Sequence, residues 1–345
     1  MASLSFIRLF RRRPDNPNMS NPPPRPRPGL FATLGDDFQA AFLEFIGTTC
    51  FLTMAFGGVQ AVSYQGATSE ASSQIDTVLY ISFCFGFSLI ASAWLFYRVT
   101  GGLFNPNISL ALLLTGLIGP VRFVLYCIAQ LVGGIAAAAL ILALTPGPLQ
   151  ANTFLHVGIN PAQGVFIEAF VTAILVMSVL MLAAEKHVAT PFAPIGIGLT
   201  LFVCHLFAVF YTGAGVNVAR AFGPAVVTGF PFGSQWVYWV GDGLGSIFAA
   251  AFYTILKHLR YWKLNPGQDT INIHESPADP VEAMLGRSRS AVSADQRSRV
   301  GSVNEKRRDP RSLDTNASSA GGTMVNEPSV GSATAGKLRG NDSVV

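Results

Sequence analysis

Apolar positions along this chain fall in long runs rather than in a short amphipathic rhythm. Six runs, at about 38–61, 77–98, 121–144, 162–184, 190–211 and 235–258, each hold about 20 residues or more. At 1.5 Å per residue, a helix of that length crosses a hydrocarbon core of about 30 Å. The pattern therefore predicts six membrane-spanning helices. Two shorter apolar runs, at about 106–116 and 218–229, follow glycine-rich chain. As helices they would be only about 15–18 Å long, half a bilayer.

The polar positions sharpen this picture. Between Phe31 and Tyr97 there is no Lys or Arg, and from Val99 to Leu256 only Arg122, Lys186 and Arg220 occur. Most basic residues lie before Gly29 or after Ile255. Of the 345 residues only 12% are charged, and the mean hydropathy is +0.43. That is too little charge to cover a soluble surface. With six spans, the two tails, Arg98, Arg122 and Lys186 share one face. The positive-inside rule places that face, and both termini, in the cytoplasm. An integral membrane protein of the plasma membrane is expected, with the lipid bilayer as its surroundings.

The chain divides accordingly. Residues 1–36 read as a disordered, basic N-tail, proline-rich at Pro22-Pro23-Pro24-Arg25-Pro26-Arg27-Pro28. Residues 37–259 form the membrane domain, and 260–345 a disordered C-tail. In the C-tail, Arg287-Ser288-Arg289-Ser290 and Arg299-Val300-Gly301-Ser302 resemble basic-directed phosphorylation sites. The formal net charge of +4 comes largely from the tails. No nucleic-acid module accompanies it, so nucleic acid is not an expected partner. Met1 to Phe10 is too short an apolar run for a cleaved leader, and Arg11, Arg12 and Arg13 follow it rather than precede it. Cys50, Cys84, Cys127 and Cys204 all fall in apolar stretches, which argues against disulfides or a metal site. No nucleophile–base pair is visible. An enzyme is not expected, and neither catalytic residues, metal nor cofactor are assigned.

The second half of the domain echoes the first. Phe104-Asn105-Pro106-Asn107 aligns with Val216-Asn217-Val218-Ala219, 112 positions on. The same offset pairs Gly86 with Gly198, Thr100-Gly101 with Thr212-Gly213, Tyr126 with Tyr238, and Gly133 with Gly245. Earlier, Glu44 pairs with Glu168 at an offset of 124. The repeats span about 37–145 and 160–259. Each holds three spans and a half-span. Three is odd, so the second copy is inverted in the membrane. The two half-helices then point their N-termini, with Asn105 and Asn217, at one midplane point.

A helix N-terminus carries unpaired N–H groups and about half a positive charge. Two such ends facing one point repel cations, and capping Asn side chains can donate toward a pore. The approaches Gly101-Gly102-Leu103-Phe104 and Gly213-Ala214-Gly215-Val216 present backbone carbonyls at membrane depth, which is tolerable where they line a water-filled cavity. Glu44 and Glu168 have two readings. They brace these loops by accepting hydrogen bonds, the favoured one, or they relay protons in a coupled transporter. Gly133, Gly245 and the alanines near them read as helix-packing positions. Arg220 at membrane depth is costly without a role.

These motifs resemble the aquaporin, or major intrinsic protein, family, and the resemblance covers about residues 38–258. It implies an all-α membrane fold of six transmembrane helices plus two half-helices. It also implies a passive homotetrameric channel with one pore per subunit. The family pattern is Asn-Pro-Ala twice, with Arg after the second. Here Asn107 replaces the first Ala and Val218 the second Pro, departures that bear on conduction rather than on fold. The resemblance assigns the midplane to Asn105, Pro106, Asn107, Asn217, Val218 and Ala219. It assigns the narrowest point to Phe85, His205, Ala214 and Arg220. The pore-lining carbonyls fall on Gly101, Gly102, Leu103, Gly213, Ala214 and Gly215. An aromatic, a His, a small residue and an Arg resemble the water-selective branch. Ala221, where glycerol channels carry Asp, and the Tyr238-Trp239 pair point the same way. The expected function is a water channel that excludes ions and protons. The alternative is a broader pore also passing hydrogen peroxide, glycerol or other small neutral solutes.

Overall fold

Pro106, Pro120, Pro161 and Pro194 each sit at the first or second position of a helix. Proline suits that place because its φ is preset and the N–H it lacks would have had no partner in the helix. Asn160 strengthens one start further, by a reciprocal capping box with Gln163. Gly213 (φ 74°) and Gly229 (φ 75°) end two helices in the left-handed conformation that glycine adopts freely.

The computed structural model describes residues 31–68, 73–265 and 267–268. Its helices are α1 (Leu34–Thr68), α2 (Gln74–Phe96), α3 (Pro106–Leu114), α4 (Pro120–Leu144) and α5 (Pro161–Val179), then α6 (Ala193–Thr212), α7 (Val218–Thr228) and α8 (Trp236–His258). Helix α5 continues as a π turn over Leu180–Ala184, and 3₁₀ turns cover Thr190–Phe192 and Tyr261–Lys263. Six helices are long and apolar enough to cross a membrane, α3 and α7 are the short ones, and no strand occurs among the described residues.

Helix boundaries differ from those expected chiefly in α1 and α3. Helix α1 begins at Leu34, inside the segment assigned to the N-tail, and runs to Thr68 rather than to 61. Asp36 and Asp37 lie in its first turn, where the positive helix end favours carboxylates. Asp37 also accepts from Thr33 at 3.0 Å and pairs with Arg122 of α4 at 2.6 Å. Helix α3 stops at Leu114 rather than 116, because Thr115 caps it and Gly116 turns at φ 75°. The fourth span ends at Ala184 as expected, its last turn being a π turn. The Pro22–Pro28 stretch, the two phosphorylation-like motifs and nearly all of both tails lie outside the described residues.

The repeat is visible in the packing. Helix α1 lies along α4, and α5 along α8. At Gly133 an added Cβ would sit 3.0 Å from the Phe45 carbonyl, and at Gly245 2.5 Å from the Ala169 carbonyl. Only glycine permits either approach. Helices α2 and α6 meet where Gly86 faces Gly198. Each half-helix crosses to the other repeat, α7 packing on α4 and α3 on α8. The surface is apolar, with Phe42, Phe170 and Phe248 exposed, while Glu44, Gln130, Glu168, Arg220 and Asp242 are buried. That distribution suits a bundle bathed in lipid around a polar axis.

Candidate functional site

The two half-helices meet end to end at their caps. Asn105 (φ −150°, ψ 117°) and Asn217 (φ −156°, ψ 114°) have nearly the same backbone conformation. Oδ1 of Asn105 accepts from the Asn107 N–H at 2.9 Å. Oδ1 of Asn217 accepts from Ala219 at 2.9 Å and Arg220 at 3.4 Å. The side-chain nitrogens cross over. Nδ2 of Asn105 donates to the Val216 carbonyl and Nδ2 of Asn217 to the Phe104 carbonyl, both at 2.9 Å. A carboxamide nitrogen carries two hydrogens, so each Asn keeps one for a further acceptor. A third crossing joins the Val218 N–H to Oδ1 of Asn107 at 3.0 Å.

The approaches to the caps are strained in the same way in both repeats. Phe104 (φ 50°) and Val216 (φ 55°) are left-handed without being glycine. A buried carboxylate holds each. Glu44 accepts from Thr100 Oγ1 at 2.6 Å, Leu103 N at 3.1 Å and Phe104 N at 2.9 Å. Glu168 accepts from Thr212 Oγ1 at 2.5 Å, Gly215 N at 2.9 Å and Val216 N at 2.8 Å. The Tyr126 and Tyr238 hydroxyls donate to the carbonyls of Thr100 and Thr212 at 3.3 and 2.7 Å. Sequence reasoning missed Gln130, whose Nε2 donates to Glu44 at 2.9 Å. It also missed Asp242, which stands 112 positions after Gln130, is fully buried, and accepts from Thr172 at 3.2 Å. The two share the repeat offset as polar positions in apolar runs, a signal that a search for identical residues passes over.

A narrow cavity of about 10 Å³ is lined by Phe85, Asn105, His205, Asn217 and Arg220, with Leu103 and Gly215 among its apolar and backbone walls. A volume of that size admits about one water molecule. The Phe85 and His205 rings stack with centroids 4.3 Å apart. The Arg220 guanidinium lies 5.0 Å from the centre of the Phe85 ring. Nη1 of Arg220 donates to the Ala151 carbonyl at 2.6 Å, and Nη2 to the Gly213 carbonyl at 3.3 Å. Nδ1 of His205 faces the Leu201 carbonyl at 3.0 Å and so carries a hydrogen. His205 Nε2 and Arg220 Nε are buried and find no partner among the described residues.

Of the four residues expected at the constriction, Ala214 does not line this cavity. It is buried at φ 53°, and its N–H turns to Thr212 Oγ1 at 3.3 Å. Of the residues assigned to the midplane, Asn105 and Asn217 line the cavity, and Pro106, Asn107, Val218 and Ala219 do not. Gly101, Gly102 and Leu103 border a wider vestibule of about 410 Å³, shared with Tyr97, Lys186 and Thr190. The Ala151 carbonyl had no sequence signal. It comes from the α4–α5 connection, which Gln60 pins by donating to Pro146 and Pro148 at 3.2 and 3.1 Å and accepting from Gln150 at 2.9 Å.

Beside the vestibule, Glu185 accepts from Tyr253, from Lys257 Nζ at 3.1 Å and from Tyr261 at 3.1 Å. Partial burial alone would raise its pKa, but these hydrogen bonds and the Lys257 charge outweigh it and hold Glu185 below the ordinary carboxylate value. No grouping of side chains suited to a metal ion occurs among the described residues, and the four cysteines are free.

Residues 33–253 match the family model described as major intrinsic protein. The chain is 58% identical over 275 residues to aquaporin-1 of Laccaria bicolor, covering 79% of this chain and 88% of that protein. To aquaporin-7 of Botryotinia fuckeliana it is 47% identical over 256 residues, 72% of this chain and 56% of that one. Among solved structures, the aquaglyceroporin of Plasmodium falciparum superposes with a TM-score of 0.55 at 18% identity, covering 63% of this chain and 95% of that one, a likeness of fold alone. A family match over nearly the whole membrane domain, on a bundle whose two half-helices meet at Asn105 and Asn217, makes this chain a member of the major intrinsic protein family, an aquaporin-type membrane channel.

Proposed function

We propose that the channel passes water and excludes ions and protons. The observation that carries this reading is the hydrogen bonding of the two caps. Their oxygens face the helix ends, one N–H of each is spent on the opposite approach, and one N–H of each remains. A water between them accepts two hydrogen bonds through its oxygen. Its own hydrogens then point away along the file, which breaks a proton relay. The two helix ends, each worth about half a positive charge, and Arg220 repel cations at the same place.

Size supports the same solute. A cavity of about 10 Å³ suits single-file water, and the stacked Phe85 and His205 rings narrow the bore against glycerol. His205 Nε2 and Arg220 Nε are an acceptor and a donor still unpaired there, suited to holding water as it passes. Hydrogen peroxide, close to water in size and hydrogen bonding, is the second solute consistent with this lining. In this reading Glu44 and Glu168 brace the approaches and carry no proton across. The basic residues Arg98, Arg122, Lys186 and Lys257 support a cytoplasmic face bearing both tails, and the family resemblance supports a homotetramer.

Stopped-flow shrinkage of proteoliposomes tests the proposal. The expected result is water permeability well above that of empty liposomes. Permeability equal to that of empty liposomes, with the protein folded and inserted, contradicts it.

A further inference from the structure

The two departures from Asn-Pro-Ala lie in different repeats, one in each. The first copy keeps Pro106 and replaces Ala by Asn107. The second replaces Pro by Val218 and keeps Ala219. Taken one at a time, each is unfavourable. Val218 brings a backbone N–H to the first position of α7, where proline would have none, and Val218 is buried. A first-turn N–H has no acceptor within its own helix. The Asn217 side chain is already occupied with the next two N–H groups, those of Ala219 and Arg220. Asn107 brings a polar side chain to a buried position where alanine would need no partner.

Together they satisfy each other. The Val218 N–H donates to Oδ1 of Asn107 at 3.0 Å, across from one half-helix to the other. We infer that Asn107 and Val218 are a matched pair, in which Asn107 caps the opposite half-helix in trans. The bond has no mate in the repeat. At the related positions Pro106 has no N–H to give and Ala219 has no side-chain acceptor. It adds a third, asymmetric tie to the two symmetric ones made by Asn105 and Asn217. Neither residue lines the narrow cavity, so the pair acts through its neighbours. Asn217, the cap just before Val218, and Arg220, in the first turn just after it, do line the cavity. Asn107 is therefore a positioning residue for the pore, and the second half-helix keeps its geometry without the proline.

A double-mutant cycle over Asn107→Ala, Val218→Pro and the combined variant tests this, using the full chain in detergent and in proteoliposomes. The readouts are the thermal midpoint, water permeability per inserted channel, and hydrogen exchange of the backbone amide at position 218 in uniformly ¹⁵N-labelled protein. Asn107→Ala is expected to lower the midpoint and to speed Val218 amide exchange by about tenfold or more, because a buried donor loses its partner. Val218→Pro alone orphans the Asn107 oxygen and is expected to lower the midpoint and the permeability. The combined variant, which restores Asn-Pro-Ala in both copies, is expected to be closer to the parent than either single variant. Val218→Ala keeps the N–H and is expected to keep slow exchange, which separates loss of the donor from loss of the side chain. Additive effects in the cycle, or Val218 exchange unchanged in Asn107→Ala, overturn the inference. If Val218→Pro fails to fold, the exchange rates in Asn107→Ala and Val218→Ala decide it.

Discussion

Nδ2 of Asn217 donates to the carbonyl of Phe104 at 2.9 Å, so the cap of one half-helix also braces the strained approach to the other. Asn217→Ala removes the cap and leaves a buried carbonyl unpaired. The combined loss is expected to be about 2–4 kcal/mol, read as a lower thermal midpoint in detergent. Asn217→Asp keeps an oxygen for capping but replaces the whole amide NH₂, both the donor to Phe104 and the remaining N–H, with a carboxylate oxygen. It is expected to raise cation conductance in planar bilayers and to lower water flux. Conductance no higher than in the parent would count against the electrostatic part of this account.

Glu44 offers acceptors to Thr100, Leu103, Phe104 and Gln130 at once. Glu44→Gln turns an N–H₂ toward donors and is expected to destabilise by about 1–3 kcal/mol for each donor left unpaired. Water permeability falls with it. A pH-sensitive dye inside proteoliposomes is expected to report no protein-dependent proton flux in the parent. A proton flux in the parent that Glu44→Gln abolishes would instead identify a proton-coupled transporter.

Glu185 gives a pH dependence with a defined sign. Its folded pKa lies below the unfolded one, so its stabilising contribution is complete above the ordinary carboxylate value of about 4.3 and is lost as pH falls through the lower folded value. The midpoint difference between the parent and Glu185→Gln is expected to be constant from about pH 7 to 5 and to shrink below about pH 4. A difference that grows with acidification would contradict the hydrogen-bonded knot with Tyr253, Lys257 and Tyr261.

None of the four cysteines lines the narrow cavity. Cys204, next to His205, turns its sulfur toward the Val171 carbonyl at 3.4 Å. Mercury is therefore expected to leave most of the water permeability intact. Strong inhibition at low mercury, removed by Cys204→Ser, would show that this sulfur reaches the pore.

The repeat explains what was legible in the sequence and what was not. Asn105 with Asn217, and Glu44 with Glu168, stand out because duplication fixes their offsets. Gln130 and Asp242 obey the same offset, but as different residues inside apolar runs they escape a search for identity. The Asn107–Val218 bond breaks the repeat symmetry, so no internal comparison reveals it. The Ala151 carbonyl on Arg220 depends on how an irregular connection folds back, and backbone carbonyls leave no trace in side-chain patterns. Ala214 falls on the expected constriction by spacing, whereas the residues lining the narrow cavity do not include it, a detail of backbone placement (φ 53°) that side-chain patterns do not carry.

The central claim is that the bore defined by Phe85, His205 and Arg220, with the two caps behind it, selects water. Water, glycerol and peroxide permeabilities measured in parallel on one proteoliposome preparation test it most directly. The expected result is water permeability far above that of empty liposomes, with glycerol at the empty-liposome level. Glycerol permeability rising in step with water permeability would contradict it.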